Sequence, residues 1–284
     1  MLKQVKIAEC SRDAMQGFSR IIPTDLKVEY INSLLEVGFD TIDCGSFVSA
    51  RAVPQLADTS EVLARINKTN NHTKLLSIIA NEKGAETACS FENIDIIGFP
   101  FSISETFQLR NTRQTTNQAF ERIKSIQNIA TKHNKKFLVY LSMGFGNPYK
   151  DEWSLELAIE WCNRIANEGI TQINLSDTIG VASANDIKSL FEGVKGINKV
   201  EFGAHLHTRP DNYLQNLKAA YDSGCRKFDS AIRGFGGCPF AADKLTGNLP
   251  TEFLLDYLES VNETVQINKV NFSNSLALAS TVFE

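Results

Sequence analysis

With 284 residues, 43% of them hydrophobic and 22% charged, the chain has an ordinary globular composition and enough length for a large core. A net charge of −4 and a pI near 5.7 exclude a general nucleic-acid binder. No apolar run approaches the roughly 18 residues of a membrane span, so no membrane association is expected. Strand-like sequence begins at about Val5, which leaves no room for a secretory signal. The six cysteines are scattered without a CxxC pair, so free thiols and a cytoplasmic location are expected.

Strand-like and helix-like segments alternate along the chain. Residues 5–9 read as a strand, and 24–37 as an amphipathic helix with Thr24 as its N-cap. Strand 39–44 precedes a long loop through Pro54. Helix 59–66, strand 75–79, helix 82–90 and strand 94–98 follow, then a second long loop through Asn111. After these come helix 117–133, strand 137–142, helix 155–167, strand 171–175 and helix 184–194. Strand 200–204, helix 211–223, strand 227–231 and helix 251–261 end the alternation, and 265–284 forms a tail with one more helix at most.

These are eight strands and eight helices. The strands are apolar runs, as in a parallel sheet buried on both faces. The pattern predicts an α/β fold, a TIM (β/α)8 barrel over about 5–261 with a short C-terminal helical extension at 262–284, in one domain. A doubly wound open sheet is the alternative, but no Gly-rich dinucleotide fingerprint follows the first strand.

Two of the four histidines, His205 and His207, end the seventh strand. Alternation along a strand puts both imidazoles on one face and Leu206 on the other, which makes either a ready chelate for a metal or two polar residues at a strand end, solvated or bonded to backbone. Arg12, Asp13, Asp43, Asp177 and the Gly-rich run Gly234 to Pro239 also follow the carboxyl ends of strands. In a barrel that end is the catalytic face. Asp13, His205 and His207, with an amide oxygen from Asn248, offer mixed nitrogen and oxygen ligands suited to Mg²⁺ or Mn²⁺, with Zn²⁺ as an alternative. Asn248 serves equally well as a helix N-cap. Arg12 can hold a developing oxyanion or pair with Asp43 or Asp177, and Asp43 and Asp177 can support the site from behind. Cys238, in its Gly-rich loop, can act as a general acid or base. The sixth strand carries no lysine for imine chemistry, which favours metal-assisted carbon–carbon chemistry.

The motifs Ser11-Arg12-Asp13-Ala14-Met15-Gln16, Ser46-Phe47-Val48-Ser49, Ser176-Asp177-Thr178-Ile179-Gly180-Val181, His205-Leu206-His207, Gly236-Gly237-Cys238-Pro239 and Gly247-Asn248-Leu249 run through nearly the whole chain. It resembles the DRE-TIM metallolyase superfamily and, within it, the 3-hydroxy-3-methylglutaryl-CoA lyases. The resemblance implies a divalent cation on Asp13, His205, His207 and Asn248, with Asp177 and Gln16 behind the ligands. It implies that Arg12 stabilises the enolate of acetyl-CoA and that Cys238 transfers a proton; for such a cleavage His205, or Asp43 through water, is the candidate base. An acyl-CoA substrate and a homodimer are also implied. The sequence departs from the usual family pattern at Asp43, where these lyases carry Glu, and at Thr208-Arg209, where they carry Asp-Thr. A lyase for a related 3-hydroxyacyl-CoA, a Claisen-type synthase joining acetyl-CoA to a 2-oxo acid, and a non-catalytic metal-binding barrel are the alternatives. Arg110, Arg113 and Lys150 lie in loops within reach of a nucleotide's phosphates, or are solvated surface.

Overall fold

Eight parallel strands close on themselves in the computed structural model, which describes residues 4–68, 72–237 and 246–284. They are β1 (Lys6–Glu9), β2 (Thr41–Ser46), β3 (Lys74–Ile78), β4 (Ile96–Ser102), β5 (Lys136–Ser142), β6 (Gln172–Asp177), β7 (Glu201–Thr208) and β8 (Lys227–Ser230). Each pairs with its neighbour in sequence, and β8 returns to β1 with Ala8 opposite Asp229. This is the expected TIM barrel. A ninth strand, β9 (Gly247–Asn248), adds antiparallel to the end of β7 and sets Asn248 opposite His207.

The helices are α1 (Ser11–Gln16), α2 (Thr24–Leu35), α3 (Thr59–Arg65), α4 (Glu82–Cys89), α5 (Glu105–Thr112), α6 (Thr116–Lys132), α7 (Leu155–Asn167), α8 (Ala184–Gly193), α9 (Tyr213–Asp222), α10 (Thr251–Ser260) and α11 (Lys269–Phe283). In α7 the buried positions Ala158, Trp161, Cys162 and Ile165 follow the i, i+3, i+4, i+7 spacing that turns one face to the barrel. Capping boxes start α6 at Thr115 and Gln118 and α8 at Ser183 and Asp186, satisfying amides that the first turn leaves unpaired. The N-cap assigned to Thr24 is corrected: Pro23 precedes the helix, and the Thr24 hydroxyl donates to Asp58 at 2.8 Å. The long loop after β4 also contains a helix, α5, which Ser104 caps through Phe107 N. Its apolar face is too short for periodicity to reveal it.

The barrel interior is divided. Leu76, Ile78, Ile96, Leu138 and Tyr140, from β3, β4 and β5, form an apolar cluster separate from the main core between strands and helices. Across from them β6, β7 and β8 turn Asn174, His205 and Asp229 inward, joined by hydrogen bonds. The C-terminal helix α11 lies against α2 and ends in Phe283, whose ring stacks on Phe235 at 4.6 Å.

Glu9 points outward from β1 and is wholly buried. Its Oε1 accepts Ile232 N–H at 2.8 Å, and its Oε2 lies 2.6 Å from Thr251 Oγ1, which is 2.9 Å from Ser230 Oγ. Burial, with the charge of Glu252, pushes its carboxyl from 4.5 up to about 8. The folded protein therefore holds a proton that the unfolded chain releases. The stability this contributes is complete below pH 4.5 and is lost as pH rises through about 8. Between those limits the expected slope is up to about 1.4 kcal/mol per pH unit. Glu9→Gln should flatten it; equal slopes in urea titrations of both proteins would contradict this.

Candidate active site

A cavity of about 580 Å³ opens at the carboxyl ends of the strands and is lined by Arg12, Asp13, Gln16, Tyr140, Ser142, Ser176, Thr178, His205 and His207, among others. Burial of 70–90% of a ligand within such a volume is typical of small-molecule sites. Strands β3 to β7 all contribute to its wall, β7 through both histidines. The chain leaves β1 directly into α1, one and a half turns long, which carries Arg12, Asp13 and Gln16 over the barrel mouth. Residues four apart share a helix face, and Arg12 Nη1 donates to Gln16 Oε1 at 2.9 Å.

Arg12 is the hub of the charges. Its Nε and Nη2 both donate to Asp43 Oδ2, at 3.0 and 2.6 Å, and its Nη1 donates to Asp13 Oδ1 at 2.9 Å. A guanidinium has five N–H donors. With the bond to Gln16, four are engaged among the described residues, and one on Nη2 is left for a ligand. Burial works against its charge, but Asp43 and Asp13 outweigh that and keep it cationic. The ion pair with Asp43 and the oxyanion role, alternatives in the sequence, are thus compatible. Asp43 itself is paired with Arg12 outside the cavity lining, and its Oδ1 has no hydrogen-bond partner among the described residues. Burial raises its carboxyl to about 6, the nearby Arg12 charge opposing.

Asp13 accepts from Asn248 Nδ2 at 2.8 Å on Oδ2, which lies 3.9 Å from His207 Nε2. Burial would raise its carboxyl, but Arg12, His205 and His207 override it and hold it at about 2. One ligand atom each from Asp13, His205 and His207 lie within 4.8 Å of one another. Ligands about 2.1 Å from one cation stand roughly 3–4.2 Å apart in an octahedral shell; the Asp13–His207 pair at 3.9 Å falls in that range, and small side-chain adjustments would bring all three to a shared ion. Neither ring nitrogen of His207 makes a hydrogen bond of ordinary geometry among the described residues, although the Thr178 backbone lies close enough to act on the ring; a cation would satisfy one of the two nitrogens. Burial, and then the neighbouring His205, push its imidazole down to about 4, so it is neutral, as a ligand must be. A second group with the same proximity is Cys10, His205 and Asp229. Burial and the charges of Asp229 and Asp43 drive the Cys10 thiol well above its ordinary range. With Asp229 already hydrogen-bonded to His205, that group reads as a buried network.

Asn248 does not cap a helix: Pro250 precedes α10, and Asn248 pairs with His207 and donates to Asp13 and to Phe235 O. Gly236, at φ +105°, lets the backbone pass over this corner, since an added Cβ would lie 2.6 Å from Asn248 Nδ2 and 2.8 Å from Asp13 O. Asp177 closes the turn after β6 by accepting from Val181 N and Ala182 N, away from the cavity lining. Cys238 lies outside the described residues. Of the loop cations, Arg113 lines the cavity, together with Arg51 and Arg122, which the sequence did not single out, while Arg110 stacks on Tyr149 at 4.7 Å. Sequence reading also missed Asp229, Asn174 and Tyr140, which sits edge-on to His205 at 5.4 Å. A carboxylate inside an otherwise buried strand was the available signal for Asp229.

Compared with known proteins, the chain matches the HMGL-like family over residues 4–282. It is 33% identical over 270 residues to mitochondrial hydroxymethylglutaryl-CoA lyase of Macaca fascicularis, covering 94% of this chain and 82% of that protein. It is 32% identical over 270 residues to cytoplasmic 3-hydroxy-3-methylglutaryl-CoA lyase of Rattus norvegicus, covering 94% and 78%. The HMG-CoA lyase of Acinetobacter baumannii, solved with coenzyme A and 3-methylmalate, superposes with a TM-score of 0.91 at 30% identity, covering 99% of this chain and 91% of that one.

Proposed function

This chain belongs to the HMGL-like family and is an enzyme of the hydroxymethylglutaryl-CoA lyase type, and from that premise we propose that it cleaves 3-hydroxy-3-methylglutaryl-CoA to acetyl-CoA and acetoacetate with a divalent cation. The observation that carries the reading is the convergence of Asp13, His205 and His207 beside the spare N–H of Arg12. Their donor set suits Mg²⁺ or Mn²⁺, with Asn248 at hand as a further oxygen ligand. Bound there, the cation supplies Lewis acidity toward the substrate's tertiary hydroxyl and free carboxylate.

The chain's own groups do the rest. A base removes the C3 hydroxyl proton: Asp43 through a water, because a His205 that ligates through Nε2 and holds its proton on Nδ1 has no lone pair left to accept it. The C2–C3 bond breaks as the C3 ketone of acetoacetate forms, and its electron pair passes to the thioester enolate. Arg12 donates its remaining N–H to that enolate oxygen. Cys238 returns a proton to C2, giving acetyl-CoA. Cys238→Ser is expected to cut turnover by about 10²–10⁴-fold and leave cation binding unchanged; turnover near wild type would remove Cys238 from the scheme.

The relative solved with coenzyme A supports an acyl-CoA as the substrate. The acyl group is the open specificity. Arg209 bonds to Gly180 O and Asp211, while the Thr208 hydroxyl is buried with no partner among the described residues. Asp43 is one methylene shorter than the glutamate of the resembling family, and these departures favour a related 3-hydroxyacyl-CoA as the second reading. No helix among the described residues is long and apolar enough to cross a membrane, and we place the enzyme in the cytoplasm as a homodimer. The test is cleavage of 3-hydroxy-3-methylglutaryl-CoA beside its close analogues, with and without chelator. Cleavage that persists in chelator, or none with any analogue, rejects the proposal.

A further inference from the structure

Asp229 is a buried charge that the scheme above leaves idle. It is 3% exposed, and its Oδ2 lies 3.0 Å from His205 Nδ1 and 2.8 Å from Asn174 Nδ2. The three residues come from the adjacent strands β8, β7 and β6, and the register sets His205 directly opposite Asp229. A carboxylate only accepts, so a neutral His205 beside it carries its proton on Nδ1 and leaves Nε2 bare. Nε2 is then the nitrogen free to join Asp13 and His207.

We propose that Asp229, steadied by Asn174, is a positioning residue that fixes the tautomer and ring direction of His205 and so presents Nε2 to the cation. The inference rests on the reading of His205 as a ligand. Such partners of ligating histidines commonly set ring orientation and ligand basicity. The surroundings suit a held anion. Lys227, two residues back on the same strand face, is buried with no hydrogen-bond partner for Nζ among the described residues; burial works against its charge, and Asp229 is the group that most strongly favours it. Gly203, opposite Asn174 on β7, leaves the space the amide needs: a Cβ there would lie 2.4 Å from Asn174 Oδ1.

The experiment uses full-length protein with ¹⁵N-labelled histidine, at a pH where the ¹⁵N shifts show a single proton on the ring, with His205 assigned by its loss in His205→Gln. In wild type His205 is expected to be protonated on Nδ1. In Asp229→Ala that preference should disappear, and affinity for Mn²⁺ alone, read by calorimetry, should fall about 10- to 100-fold. Asp229→Asn keeps an acceptor oxygen without the charge and should fall between the two. If the alanine variant does not fold, the asparagine variant decides by the same readouts. A wild-type His205 protonated on Nε2 overturns the inference, as does a variant that keeps both the tautomer and the Mn²⁺ affinity within about twofold. A wild type that binds no Mn²⁺ defeats the reading of His205 as a ligand, and the tautomer comparison still decides whether Asp229 sets the imidazole.

Discussion

Asp13→Asn is expected to abolish cation binding and cleavage together. The substitution keeps the shape of the side chain and removes the single anionic ligand of the three that converge at the cavity floor. It also turns an acceptor of the Arg12 and Asn248 N–H groups into an amide that can satisfy only part of them. Outer-sphere changes alone cost about 10- to 100-fold in metal affinity, so loss of a direct carboxylate ligand should exceed that. Turnover should fall about 10⁴-fold, the scale of chemistry lost when a catalytic unit is broken. Calorimetry with Mn²⁺ and the cleavage assay measure the two effects separately. Asp13→Asn with wild-type Mn²⁺ affinity would mean that the ion, if any, sits elsewhere.

Arg12→Lys is expected to lower kcat by about 10²–10³-fold, the loss seen when one preorganised oxyanion donor is removed, with KM changed only a few-fold. A lysine ammonium has three donors and no planar fork. It cannot serve Asp43, Asp13 and Gln16 and still offer an N–H to the cavity, as the guanidinium does. Arg12→Gln is the poorer test. It strands two buried carboxylates, a change that typically costs about 3–5 kcal/mol of stability, so lost folding would mask lost chemistry. A lysine variant with kcat within threefold of wild type would assign Arg12 to structure alone.

Much of the barrel was legible because its elements are written locally. The apolar runs of β4, β5 and β6 and the stripe of α7 have the periods of a twice-buried strand and an amphipathic helix. Boundaries were less legible. β7 extends through both histidines to Thr208, because pairing with β6, β8 and β9 holds them in the ladder. The helices α1 and α5 are short enough that periodicity carries little signal, and what stabilises them is distant: Ser11 Oγ donates to Asp43 O, and the cap of α5 leans on Asp151.

By itself the sequence determined that His205 and His207 share a face, since alternation is a property of the extended backbone over three residues. It also determined that Arg12, Asp13 and both imidazoles lie at the carboxyl ends of strands, since strand direction follows from connection length. Only the tertiary structure decided which atoms meet. Closure of the barrel brings Asn248 to Asp13 across 235 positions and Arg12 to Asp43 across 31, and gives His205 Nδ1 to Asp229. Those partners are set by register between strands, and register depends on how the whole ring closes.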